Sequence, residues 1–245
     1  GESSAAARAA VADAGGAVLE VAESELLGDV LHARIPADAL ATLADLPAVA
    51  WIEAYHPVEL HNDRARNIMG VHSAWSSMAG AGVNLYGAGQ IVDVVDSGLD
   101  TGNPATLSAD FQGRLLKAYA HGRTGDWSDN GPNPPAGHGT HVAGSIVGTG
   151  LSSGSNPAAH NYASSFAGVA PEARIVFQSV MRATGSGLAV PTDLKTLFAP
   201  AHNDGARIHS NSWGGPTGGA DPNLEYGGYT TLSQSADEFA WLYPT

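Results

Sequence analysis

The chain of 245 residues contains no cysteine. That absence removes disulfides, thiolate-ligated metals and thiol nucleophiles together. It leaves the compartment open, because a large core needs no disulfides. Lysine is almost as scarce. Only Lys117 and Lys195 occur, and arginine supplies the rest of 11 basic residues set against 24 acidic ones. A formal net charge of −13 argues against nucleic acid and against anionic membrane surfaces as partners. No apolar run reaches the roughly eighteen residues that a membrane-spanning helix needs. The first residues, Gly1-Glu2-Ser3-Ser4, lack both Met and a charged-then-apolar leader. Such a start fits a removed signal or a beginning inside a longer protein.

What is present is enough to fold. Hydrophobic residues make up 43% of the chain, which can fill a core and argues against disorder. A composition shift falls near residue 60: the first part is Ala-rich, and Gly and Ser become frequent after 70. Residues 1–60 read as a small α+β unit. Ser3–Ala14 is expected to be a helix closed by Gly15-Gly16, Ala17–Ala22 and Asp29–Ile35 strands, and 36–46 a helix between Pro36 and Pro47. Val49–Tyr55 reads as a last strand. The order αββαβ would be a ferredoxin-like unit without its first strand. Asn62–Trp75 reads as a surface helix and linker. Beyond Gly89, apolar runs at Ile91–Asp96, Arg174–Met181 and Ala206–Ser212 alternate with helical stretches at His138–Gly148 and Thr192–Asp204. That alternation predicts an α/β domain, a parallel sheet with helices on both faces. Ser233–Tyr243 is a further expected helix. A doubly wound sheet would continue with a strand after it, so the sheet is expected to be incomplete at the C-terminus.

Two segments carry chemistry. Asp96 ends an apolar strand and is followed by the turn pair Ser97-Gly98. Open α/β sheets place ligands and catalytic groups at that edge, and a carboxylate there can fix the tautomer of a histidine. The competing reading is an Asp that caps a turn, the role expected of Asp100. His138 stands in Gly137-His138-Gly139-Thr140-His141-Val142-Ala143-Gly144, where small residues let a helix lie tight against a sheet. His138 and His141 are three apart and could suggest a metal. The zinc pattern HExxH needs a spacing of four with a Glu between, and neither is present. His141 is therefore expected to be a structural side chain bonded inside the fold. Gly150-Leu151-Ser152-Ser153-Gly154 matches G-x-S-x-G, but it follows a helix and not a strand, so it reads as a loop.

The Asp96 and His138 segments together resemble the Asp and His blocks of the subtilisin-like serine proteases, the subtilases. Ile91–Thr101, Phe111–Tyr119, Gly137–Gly148, Ala170–Met181 and Ala206–Gly215 resemble further blocks of that family in the family's order, over roughly residues 62–245. The likeness is nearest to the long, oxidation-resistant alkaline-protease branch. It implies a serine endopeptidase in which Asp96 orients His138 and His138 is the general base. Ser210-Asn211-Ser212-Trp213-Gly214-Gly215 is similar to the family's open substrate-binding edge, which implies that Ser212, Trp213 and Gly214 bind substrate backbone. Asp93 departs from the pattern, since subtilases usually carry a small apolar residue there. If buried, it needs a bonding partner.

The family's Gly-Thr-Ser-Met-Ala nucleophile segment is absent from residues 1–245. Ser76-Ser77-Met78-Ala79 is a partial echo, but it precedes Asp96 and lacks the Gly-Thr lead. The family order Asp, His, Ser puts the expected Ser beyond residue 245. Residues 1–61 then take the place of an inhibitory, folding-assisting propeptide, and 62–245 that of the N-terminal portion of the peptidase domain, with cleavage near Leu60 or His61. The resemblance further implies polypeptide substrates, the propeptide as intramolecular inhibitor, secretion, and no cofactor for the chemistry. It is compatible with structural calcium, whose ligands are unassigned. Two alternatives remain at this point. One is a truncated or pseudo-protease that binds without catalysis; the other is a zinc hydrolase using His138 and His141.

Overall fold

The computed structural model describes residues 2–22, 29–55, 64–131, 135–214 and 228–244. The chain divides into two compact units, Gly1–Leu60 and His61–Thr245.

In the first unit, helix α1 (Glu2–Asp13) ends where Gly15 takes a left-handed φ of 74°. There the Gly16 N–H returns to the carbonyl of Val11 at 2.8 Å. Strands β1 (Ala17–Ala22) and β2 (Val30–Arg34) form an antiparallel pair. The expected helix over 36–46 is shorter, a 3₁₀ turn at Ala37–Ala39 running into α2 (Leu40–Ala44). Ala7, Val11 and Leu43 are the buried apolar residues among those described in this unit. The strand expected at Val49–Tyr55 does not form. Its alternating large side chains find local partners instead of a ladder. Trp51 is exposed and donates through Nε1 to Glu53 Oε2 at 3.1 Å, and Tyr55 packs on His32 with ring centroids 4.0 Å apart. The order among the described residues is therefore αββα.

The second unit opens with helices α3 (Ala65–Ile68) and α4 (Val71–Gly80). Its centre is a parallel sheet in the order β4-β5-β3-β6. The strands are β3 (Ile91–Asp96), β4 (Leu115–Ala120), β5 (Arg174–Ser179) and β6 (Ile208–Asn211). The α/β expectation is met by this arrangement. Strand β4 is an addition to the sequence reading.

Helix α5 (His138–Val147) covers one face and α6 (Lys195–Asn203) the other. The alternation along β3 explains the two layers. Val92 and Val94 pack with Ala143 and Val147 of α5, whereas Val95 packs with Leu194 and Leu197 at the α6 side. Strands buried on both faces read as near-continuous apolar runs, and β3 and β5 are buried over five of their six positions. Helix α7 (Thr231–Leu242) starts with a capping box between Thr230 and Ser233, and its Leu232 and Ala236 pack on the Val95 cluster. None of the helices among the described residues is long and apolar enough to cross a membrane.

The chain enters at β3, passes to β4, inserts β5 between them and then crosses to β6 on the far side of β3. The strand order thus reverses around β3, and its carboxyl end is where an open sheet forms a crevice.

Candidate active site

Asp96 is the last residue of β3, 1% exposed, and pairs in register with Ser179 of β5. The Val180 N–H holds its carbonyl at 2.8 Å, and the Ser97 N–H donates to its Oδ1 at 2.7 Å. Its Oδ2 is buried and receives no hydrogen bond from a described residue.

His138 is the first residue of α5. Gly137 before it has φ 88°, a left-handed turn that glycine makes without strain and that starts the helix abruptly. Nδ1 of His138 lies 2.7 Å from Asp96 Oδ1. A carboxylate can only accept, so Nδ1 carries the proton and donates, which leaves Nε2 with a lone pair. The His138 side chain is 48% exposed, so Nε2 is within reach of a ligand while Asp96 is sealed from water. Such a couple can take a proton from a hydroxyl and stabilise the imidazolium that results.

Close approach of helix and strand makes this geometry possible. A Cβ on Gly139 would stand 2.4 Å from the Gly98 carbonyl oxygen and 3.0 Å from Asp96 Cβ. A Cβ on Gly98 would stand 2.1 Å from the carbonyl oxygen of Ser128. Backbone atoms cannot yield at these distances. Gly139→Ala is therefore expected to push α5 off the end of β3 and to destabilise by about 1–3 kcal/mol. Urea denaturation reads the loss. A midpoint within error of the parent would show that the contact has slack.

The structure brings Asp96 and His138 together and carries Ser212, Trp213 and Gly214 to the same end of the sheet. Val95 pairs with Asn211, so these three residues follow β6 just beyond the register of Asp96. Ser212 and Gly214 are exposed, and a Cβ on Gly214 would meet nothing within 4 Å. The Trp213 side chain turns inward. It is half-buried, packs with the Val95–Leu197 cluster and donates through Nε1 to the carbonyl of Val95 at 3.0 Å. Its indole anchors the segment. His141 departs from expectation, since it is exposed on α5. With the helix face toward the sheet taken by Gly139 and Ala143, position 141 turns outward. Among the described residues no group of three His, Asp or Glu side chains could hold a metal ion, so a zinc site on His138 and His141 has no third ligand there.

Asp93 lies on the α6 side of the sheet, fully buried. Gln178 Nε2 donates to Asp93 Oδ2 at 2.9 Å, and Nε2 of His209 approaches the same oxygen to 2.5 Å. Gln178 also donates to the Leu197 carbonyl and takes His121 on its Oε1. Burial pushes the Asp93 carboxyl up from the usual range, and His209 and Gln178 pull it partly back. The partners that a buried Asp requires are thus supplied by the two strands that flank β3, through Gln178 of β5 and His209 of β6.

Sequence reasoning did not single out Asp129. It is 6% exposed and bonded to Ser97, the residue after Asp96, and to Thr140, two residues after His138. A polar loop residue shortly before a Gly-His-Gly-Thr helix start was the available signal.

Comparison with known proteins points to one family. The model of the Subtilase family matches residues 87–241. A serine protease/ABC transporter B family protein, tagD of Dictyostelium discoideum, is 32% identical over 173 residues, covering 66% of this chain and 9% of the relative. The thermophilic serine proteinase of Bacillus sp. (strain AK1) is 29% identical over 156 residues, 63% of this chain and 30% of the relative. The PI-type proteinase of Lactococcus lactis subsp. cremoris is 29% identical over 191 residues, 69% of this chain and 9% of the relative. The chain therefore spans a third or less of the length of these relatives.

Proposed function

The chain belongs to the subtilase family, and on that premise we propose that it is the precursor portion of a serine endopeptidase that carries the base and its orienting carboxylate. The observation that supports this most is the 2.7 Å contact between Asp96 Oδ1 and His138 Nδ1 at the carboxyl edge of the sheet. A serine from outside residues 1–245 attacks the peptide carbonyl. His138 Nε2 takes the serine proton and returns it to the leaving amine, and Asp96 stabilises the imidazolium between the two steps. Ser212 and Gly214 present exposed backbone to an extended polypeptide, which adds beside β6, with Trp213 fixing their position. No cofactor enters this chemistry.

Residues 1–61 act in this proposal as an inhibitory propeptide. The cleavage expected near Leu60 or His61 lies outside the described residues. Secretion and a place near the oxidation-resistant alkaline-protease branch are carried over from the family resemblance. Purified residues 1–245 are expected not to cleave casein, because the nucleophile and the oxyanion donors are supplied from elsewhere. Casein cleavage by that chain, abolished by His138→Ala, would overturn the assignment of the nucleophile.

A further inference from the structure

We infer that Asp129 is a positioning residue for the Asp96–His138 pair, an inference that rests on reading that pair as the catalytic couple. Asp129 lies in the loop between β4 and α5 and is buried. Its Oδ1 accepts from Ser97 Oγ at 2.7 Å. Its Oδ2 accepts from the Thr140 N–H at 2.8 Å and from Thr140 Oγ1 at 2.6 Å. Ser97 Oγ in turn accepts from the Gly139 N–H at 2.8 Å. One carboxylate therefore joins the residue after Asp96 to the two residues after His138.

The backbone closes the same loop a second time. The Asp129 N–H donates to the Asp100 carbonyl at 2.8 Å, and Thr140 Oγ1 accepts from the Asp100 N–H at 2.8 Å. Helix α5 has no side-chain cap of its own, since Gly137 stands at that position. A first helical turn leaves backbone donors unpaired. Here those of Gly139 and Thr140 are satisfied by Ser97 and Asp129. Arg123, six residues before Asp129, is paired to Asp126 and to the carbonyls of Ser128 and Asn130. The charge of Asp129 is met by three hydrogen-bond donors and the positive end of α5.

An ordinary cap holds a helix start to itself. This one holds it to the strand end, through Ser97, whose N–H also donates to Asp96 Oδ1. Without it, α5 keeps its hydrogen bonds further along but its first turn is free to move relative to Asp96. Displacements of about 1 Å at a catalytic contact cost on the order of 100-fold in rate.

The test reads the ring nitrogens of His138 by ¹⁵N–¹H NMR in the 1–245 chain, so it needs no nucleophile. The parent is expected to show His138 as the Nδ1–H tautomer with a slowly exchanging, low-field proton. Asp129→Ala is expected to speed exchange of that proton at least about tenfold, as a local opening would, and to mix the two tautomers. Ser97→Ala removes only the bridging hydroxyl and is expected to act in the same direction; it decides the matter if Asp129→Ala does not fold. Asp110→Ala is the control. It removes two bonds at the opposite end of α5, to Thr149 Oγ1 at 2.8 Å and the Gly150 N–H at 2.6 Å. It should lower the melting temperature and leave the His138 signal in place. A parent-like His138 signal in Asp129→Ala, or equal loss in Asp110→Ala, would overturn the inference. A parent chain with no Nδ1–H signal would instead overturn the catalytic couple on which it rests.

Discussion

His138→Ala, in a protein that supplies the serine together with residues 1–245, is expected to lower kcat for peptide hydrolysis on the order of 10⁶-fold, the loss known for the equivalent change in subtilisin. The size follows from the division of labour at the site. In the proposed mechanism Nε2 of His138 accepts the serine proton and donates to the leaving amine, so its removal would disable both chemical steps. On the same proposal KM should change little, because substrate backbone would be held by the Ser212–Gly214 edge and not by the imidazole. Asp96→Asn should cost less, about 10⁴-fold. The ring remains as a base, but an amide at 96 no longer selects the Nδ1–H tautomer. Steady-state kinetics on one peptide substrate would check both values. A smaller loss for His138→Ala than for Asp96→Asn would reverse the assigned roles.

His209→Ala is expected to destabilise the fold by about 3 kcal/mol at neutral pH, the upper end of the cost of leaving a buried polar group without its partner. For a unit of this size that corresponds to a fall in melting temperature of roughly 6–12 °C. Asp93 is fully buried and its Oδ1 has no hydrogen bond from a described residue. Losing His209 leaves the buried Asp93 carboxyl with Gln178 alone. The sign of the pH dependence follows from burial, which raises the Asp93 pKa in the folded protein. A raised carboxyl favours the fold fully below the ordinary carboxylate range, near about 4. That favour is lost as pH rises through the raised value. The deficit of His209→Ala should therefore be small near pH 4 and grow toward pH 7, in urea melts at both values. Asp93→Val combined with His209→Ala should recover most of the loss, since an apolar pair carries no buried charge. A deficit independent of pH would mean that His209 acts by packing alone, against Phe198, whose ring centroid is 4.4 Å away.

The site was legible where chemistry and local pattern coincide. Asp96 stands at the end of a short apolar strand, and His138 opens a helix of small residues. Each is visible within about ten positions. Strand β4 was missed because its pattern is broken: it is an edge strand, holds Lys117, and slips register between Leu115 and Lys117. Val49–Tyr55 was misread because alternation promises only a surface that could pair, while pairing needs a neighbour that sequence does not name. The roles of Asp129 and Asp93 depend on distant partners. Ser97 is 32 positions from Asp129, and Gln178 is 85 from Asp93. Trp213 was recognised as important, but the direction of its side chain is set by the Val95 carbonyl across two strands.

The central claim is that residues 1–245 hold the base and its orienting carboxylate of a serine protease, with the nucleophile elsewhere. Fluorophosphonate labelling of the protein as it naturally occurs, followed by mass mapping of the adduct, tests this most directly. The predicted result is one labelled serine outside residues 1–245, with labelling suppressed by His138→Ala. An adduct on a serine within residues 1–245, or labelling indifferent to His138→Ala, would contradict it.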